Sequence, residues 1–280
     1  MKVLVTGGSG YLGTHLKKHF GADDLSRRSG KDILNPIDTA VAADYDVVIH
    51  LAARLDKSPS EAEMVFHYNI EGTKNILRSM KKHAVFIFAS TKDVYGRFAD
   101  KYQDVPEDCP TLYSGQSPLE WSKLIAEMHV DYYGNTRDFR TCVFRLSTVY
   151  APASEGNRPG FVGHYADLIN LGEPVVFPAG GKPVRDPLHV DDFSRACEHF
   201  IDSVIRHGTY NLGGGRQNSY SLRELFHKME EVSGYQGVID EERSLPDPVP
   251  FNYVTDIGLV TRELDWTPSI DIETGLKSLF

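Results

Sequence analysis

Short apolar runs alternate with helically spaced segments through the first half of the chain. Lys2-Val3-Leu4-Val5 is the first run, and the spacing from Tyr11 onwards predicts a helix over residues 11–20. Similar runs at 46–50 and 84–89 read as strands buried on both faces of the pleat and 141–146 as a further strand, with helical segments over 61–82 and 119–133 between them. Strands covered on both faces and joined by helices imply βαβ units and a parallel sheet. Beyond Tyr150 the pattern loosens. Residues 151–160 read as a loop, 161–171 as a helix closed by Gly172, and 190–207 as a helix behind an Asp pair. A strand over 209–212, a helix over 221–233 capped by Ser219 or Ser221, and a Pro-rich loop at 245–250 complete the reading.

Between the first strand and the first helix stands Thr6-Gly7-Gly8-Ser9-Gly10-Tyr11-Leu12-Gly13. Gly7 permits a tight turn, Gly10 lets backbone approach a pyrophosphate, and Gly13 lets the helix lie close to the sheet. The helix start then offers N–H groups and partial positive charge to phosphate, with Ser9, Tyr11 and Leu12 in the same turn. A structural glycine turn in another α/β protein is the alternative. At 280 residues the chain has room for one large or two interlocked units, and its 41% hydrophobic and 25% charged content is that of a globular protein. The net charge of -9 argues against a nucleic-acid partner, and no apolar run is long enough to span a membrane. Ahead of the first strand there is no signal-peptide pattern. Cys109, Cys142 and Cys197 show no metal spacing, so no metal is expected and a cytoplasmic setting is.

Five segments together resemble the extended short-chain dehydrogenase/reductase family, the NAD-dependent sugar epimerases and dehydratases. They are residues 6–13, His50-Leu51-Ala52-Ala53, Asn69-Ile70-Glu71-Gly72-Thr73-Lys74-Asn75, Ser90-Thr91-Lys92-Asp93-Val94-Tyr95-Gly96, and Arg185-Asp186-Pro187-Leu188-His189-Val190-Asp191-Asp192. The C-terminal third is most similar to CDP-paratose 2-epimerases. The region after the first helix is similar to dTDP-4-dehydrorhamnose reductases. The resemblance implies an α/β fold, a doubly wound Rossmann sheet with a smaller C-terminal α/β substrate lobe. The expected division is 1–149 plus 188–213 for the dinucleotide and 150–187 plus 214–280 for the substrate, with a sugar nucleotide in the cleft. It also implies that Leu51, Ala52, Ala53 and Asn69 border the cofactor, and that relatives dimerise through helices matching 61–82 and 119–133.

In NAD-using relatives an acidic residue ends the second strand. Here the region reads Asp23-Asp24-Leu25-Ser26-Arg27-Arg28-Ser29, and Arg27 and Arg28 suit a 2′-phosphate. NADP is therefore expected, with NAD as the alternative. The family's acid/base is a tyrosine four residues before a lysine, one helical turn away. Thr91 fits the hydroxyl that bonds the substrate oxygen and Lys123 fits the lysine, which also holds the nicotinamide ribose, but the residue four before it is Leu119. Leucine carries no proton. Three readings are open: Tyr113, Tyr95 or Asp93 takes the proton; the substrate or a water does; or the chain binds without turnover. On the substrate side the resemblance gives Arg185 a diphosphate contact and makes Arg243 a second candidate. Asp191 and Asp192 are read as helix caps, and 161–164 with 175–178 as lining for the nucleotide base or as lobe core. The expected activity is NAD(P)-dependent chemistry on a nucleotide-diphosphate sugar as epimerase or dehydratase, with a 4-keto-sugar reductase or a non-catalytic redox sensor as alternatives.

Overall fold

The computed structural model describes residues 1–154, 156–157 and 159–280; Glu155 and Arg158, within the loop expected at 151–160, lie outside the described residues. The first strands and helices are β1 (Val3–Thr6), α1 (Tyr11–Phe20), β2 (Asp23–Leu25) and β3 (Val47–His50). Next comes α2, built of Ala62–Phe66, a π turn at His67–Glu71 and Gly72–Ser79. β4 (Val85–Thr91), α3 (Pro118–Thr136), β5 (Arg140–Leu146) and β6 (His207–Leu212) follow. The strands form one six-stranded sheet in the order β6-β5-β4-β3-β1-β2, and the β2–β1–β3–β4–β5 pairings are parallel.

Register explains why the apolar runs have no polar face. Leu4, Val48 and Phe86 lie side by side across β1, β3 and β4, and pack with Ile76 and Leu77 of α2 and Ala126 and Val130 of α3. The alternate residues Val5, Ile49, Ile87 and Cys142 are equally buried on the other face. β4 runs two residues past the expected end, so Ser90 and Thr91 sit on the strand. The helix expected over 190–207 stops at Asp202, because His207 already begins β6. α3 starts where its sequence dictates: Ser117 and Glu120 form a capping box with Pro118 in the first turn.

The chain forms two compact units. The first comprises Met1–Val94, Gly115–Leu146 and Ser194–Tyr210; the second comprises Tyr95–Ser114, Ser147–Phe193 and Asn211–Phe280. Tyr95–Ser114, assigned to the dinucleotide half from sequence, thus clusters with the second unit. That unit's core gathers Tyr150, Val162, Tyr165, Val175, Phe177, Leu225, Phe226 and Leu276. Asp186 is buried in it and accepts from Ser147 Oγ, Gly215 N and Thr255 N. Asp192 lies in the first turn of the helix Val190–Asp202, and its carboxylate accepts from the Ser269 and Ile270 backbone N–H groups. Ser221 caps the helix Leu222–Ser233, and Gly172 closes Phe161–Leu171 in the left-handed conformation.

In the first unit a buried ion pair joins α3 to the sheet. Arg145 of β5 holds both oxygens of Glu127, and Ser90 of β4 donates to the same carboxylate. Removing one partner of such a pair strands the other charge, at a cost of about 3–5 kcal/mol. Arg145→Met should therefore lower the unfolding temperature clearly, and adding Glu127→Leu should restore much of it. Differential scanning calorimetry of the single and double variants checks both outcomes.

Candidate active site

The glycine turn leaves no room for side chains. Gly7 has φ 71°, and a Cβ there would lie 2.9 Å from Ala52 N; one at Gly13 would lie 2.0 Å from Gly7 O. Gly10 N donates to Gly7 O at 2.9 Å. α1 begins at Gly10 with no side-chain cap, unlike the capping boxes of α3 and the helix Leu222–Ser233. Glycine at the cap position has no side chain to accept from the first-turn N–H groups, which fits a phosphate-bearing ligand. Tyr11 and Leu12 form that first turn. Leu51 N donates to Thr6 O and Ala52 N to Thr6 Oγ1, so Leu51–Ala53 pass directly beneath the glycines.

The second strand divides its two acids by pleat. Asp23 accepts from Tyr45 Oη at 2.8 Å, whereas Asp24 turns towards the glycine turn. There its Oδ2 accepts from Ser9 Oγ and Ser26 Oγ, while Oδ1 is buried without a hydrogen-bond partner. The strand ends at Leu25, and the residue after it is Ser26, not an acid. Arg28 reaches across this end, Nη1 donating to Ser9 O at 3.0 Å; Arg27 lies over the Tyr68 ring at 5.3 Å. The two arginines thus occupy different places, and only Arg28 touches the glycine turn.

Asn69 sits in the π turn of α2, buried. Its side chain brackets the Arg54 backbone and donates to Ser122 Oγ at 2.8 Å. Lys123 is buried on α3, its Nζ donating to Ala89 O at 2.7 Å above the Phe88 ring. Burial pushes its pKa down to about 8, opposed by the Glu127 charge. Leu119 stands one turn earlier on the same helix. Thr91 ends β4, its hydroxyl accepting from Asp93 N at 3.2 Å.

Of the three residues expected to carry a proton, Asp93 is the one beside Thr91. It pairs with Lys92, and Lys57 lies 3.6 Å from its other oxygen. Lys57 also pairs with Glu120 at 2.7 Å. Burial opposes the Lys57 charge, but the Asp93 and Glu120 carboxylates outweigh it and hold its pKa above the ordinary value. Lys57 and Glu120 were missed from sequence. The capping box marked Glu120 only as a helix starter, and nothing local joins residues 63 positions apart. Tyr95 is fully buried in the second unit, donating to Asn211 Oδ1 and stacked on Tyr253, so it is a packing residue. Tyr113 is an exposed loop residue of the second unit.

The substrate-side arginines have local partners. Arg185 is buried in the second unit and donates to the carbonyls of Val184, Pro250 and Phe251, anchoring the Pro-rich loop. Arg243 is exposed and pairs with Asp240, three residues away. Val162, Val175 and Phe177 are core residues, which leaves His164 as the exposed member of 161–164. Among the described residues no group of three or more His, Cys, Asp or Glu is placed to hold a metal, and no helix is long and apolar enough to cross a membrane.

Known proteins resemble the chain along its whole length. The chain is 27% identical to CDP-paratose 2-epimerase of Salmonella typhi, over 100% of this chain and 98% of that protein. Its fold matches UDP-glucose 4-epimerase of Thermotoga maritima with UDP-glucose at TM-score 0.85 and 24% identity, covering 100% and 97% of the two chains. It also matches RMD from Pseudomonas aeruginosa complexed with NADPH at TM-score 0.82 and 21% identity, covering 100% and 97%. The model of the NAD dependent epimerase/dehydratase family matches residues 3–213. With that match spanning the glycine turn, Asn69, Thr91, Lys123 and Arg185, the chain belongs to the NAD dependent epimerase/dehydratase family.

Proposed function

We propose that this protein is an NADP-preferring oxidoreductase acting on a nucleotide-diphosphate sugar, as an epimerase, dehydratase or ketoreductase. The observation that carries it is the uncapped start of α1 inside a turn of glycines, with Arg28 donating across its mouth. When bound, the nicotinamide accepts or returns hydride. The residues of the chain do the rest. Gly7, Ser9, Gly10, Tyr11, Leu12 and Gly13 cradle the pyrophosphate, and Leu51, Ala52, Ala53 and Asn69 shape the wall. Lys123 holds the nicotinamide ribose, and Thr91 orients the sugar oxygen. Arg28, with Arg27 behind it, reads the 2′-phosphate, because Ser26 stands where an acid would repel it. The RMD structure with NADPH supports this choice; the family name, which specifies NAD, supports the alternative.

With Leu119 in the tyrosine's place, the acid/base comes from the charged group around Asp93. On the substrate side Arg185 and Arg243 are the diphosphate candidates. Exposed Met64 on α2 and Met128 and Tyr132 on α3 support a homodimer through these helices, and three buried cysteines outside any disulfide support a reducing, cytoplasmic setting. Leu119 also favours a second reading, binding without turnover. Mixing the protein with NADPH and 4-keto sugar nucleotides separates them: a reductase consumes NADPH, an epimerase returns an isomer with none consumed, and a binder does neither.

Arg28→Ala should weaken NADP binding about 10-fold or more while leaving NAD within about 3-fold, by calorimetry. Equal losses for both would remove the 2′-phosphate role. Below about pH 8 Lys123 is an ammonium, so dinucleotide affinity should fall as pH rises through about 8. Lys123→Met should weaken binding, flatten that profile and abolish turnover; an unchanged profile would exclude Lys123 from the site.

A further inference from the structure

Four charged side chains from three separated segments form one series of ion pairs at the carboxyl ends of β3 and β4. Lys92 pairs with Asp93, Asp93 with Lys57, and Lys57 with Glu120. Glu120 adjoins Leu119 on α3, so the far end of the series is fastened beside the position that lacks a hydroxyl. The side chains of Lys92 and Glu120 are 8% and 4% exposed, whereas Lys57 is 58% exposed. The series is therefore buried at Lys92 and open to water at Lys57.

Buried charges of this kind are a costly way to gain stability, since apolar packing serves as well or better. Their chemistry is more telling. The ordinary lysine pKa, about 10.4, nearly equals that of tyrosine, about 10, so an ammonium gives up a proton to an alkoxide with a driving force close to that of a phenol. Carboxylates, about six units lower, do not match it. Lys92 is also the residue next to Thr91, whose hydroxyl orients the sugar oxygen in the reading above, on which this inference rests.

We propose that Lys92 is the acid/base of this site, replacing the tyrosine, and that Asp93, Lys57 and Glu120 position it. In the reducing direction the carbonyl carbon of a keto sugar receives hydride and its π electron pair moves onto oxygen. That oxygen takes a proton from Lys92 Nζ; the ketone is reduced to a carbinol and the dinucleotide is oxidised. The neutral amine regains its proton from water. In the oxidising direction Lys92 starts as the amine and each transfer reverses. Asp93 holds Nζ in place, and Lys57, tied to Glu120, stops the carboxylate from turning away.

Two variants of the full chain test this. Lys92→Met removes the proton, and Lys92→Arg keeps the charge and the Asp93 pairing but holds its proton far too tightly to transfer it. NADPH and UDP-glucose or dTDP-glucose affinities are measured by calorimetry, unfolding temperature by scanning calorimetry, and turnover by NADPH absorbance with the 4-keto-6-deoxy sugars of dTDP, UDP, CDP and GDP. Both variants should bind within about 3-fold of wild type. Lys92→Arg should unfold near the wild-type temperature and Lys92→Met below it, because Asp93 loses its buried partner. Both should nevertheless turn over about 100-fold slower or worse. Turnover within about 3-fold in either variant would overturn the role. So would a wild-type chain that binds both ligands and turns over none of these sugars, although the binding half of the functional reading would then stand. A wild type that binds neither ligand would instead sink the functional reading, and Lys92 with it.

Discussion

The carboxyl edge of the first unit depends on how tightly the backbone of residues 7–13 folds on itself. Gly7 O is the pivot: it accepts from Gly10 N, and it lies where a side chain at Gly13 would have to go. A side chain at Gly7 would in turn meet Ala52 N. Three chain segments therefore meet with no side chain between them, which only glycine permits. The start of α1 is fixed at the end of β1, and its cap position is a glycine with no side chain to bond the helix amides.

A buried hydrogen-bond series carries this geometry towards α3. Thr73 Oγ1 donates to Asn69 O at 2.6 Å, so the contact with His50 Nε2 at 3.0 Å must use an Nε2–H donor. His50 Nδ1 is then the acceptor, taking the Thr6 hydroxyl proton at 2.7 Å. Burial, helped by the Lys123 charge, drives the His50 pKa down to about 3, so the ring keeps this neutral tautomer throughout the working pH range. Asn69 then donates to Ser122, the residue before Lys123. The glycine turn and α3 are thus linked through neutral hydrogen bonds, which the low His50 pKa keeps uncharged near neutrality.

The parts of this arrangement that are local in sequence were legible there. Strand, glycine turn and helix follow one another without interruption, the apolar runs signal a two-faced parallel sheet, and Ser117-Pro118-Leu119-Glu120 marks the start of α3. What needs three dimensions was not legible. Asp23 and Asp24 look alike until the pleat sends one to Tyr45 and the other under Ser9. Arg27 and Arg28 look alike until one settles on an aromatic ring and the other on the turn. Apolar residues at 162, 175 and 177 suit a pocket or a core equally, and the fold made them core. Lys57 had no sequence signal, because its partners come from two distant segments.

Lys123 shows how such non-local packing prepares a site. The obvious counter-ion on its own helix is Glu127, one turn on. Yet both oxygens of Glu127 are bonded to Arg145 and one also to Ser90, so most of that charge is already balanced. Lys123 is left with a carbonyl and the face of a phenyl ring, weak compensation for an ammonium at full burial. Burial, only partly opposed by Glu127, pushes its pKa down to about 8. A cation kept charged at neutral pH, but under-compensated by its own protein, gains most when an anionic ligand arrives. The ion pair that fastens α3 to the sheet thereby also leaves the Lys123 charge under-compensated.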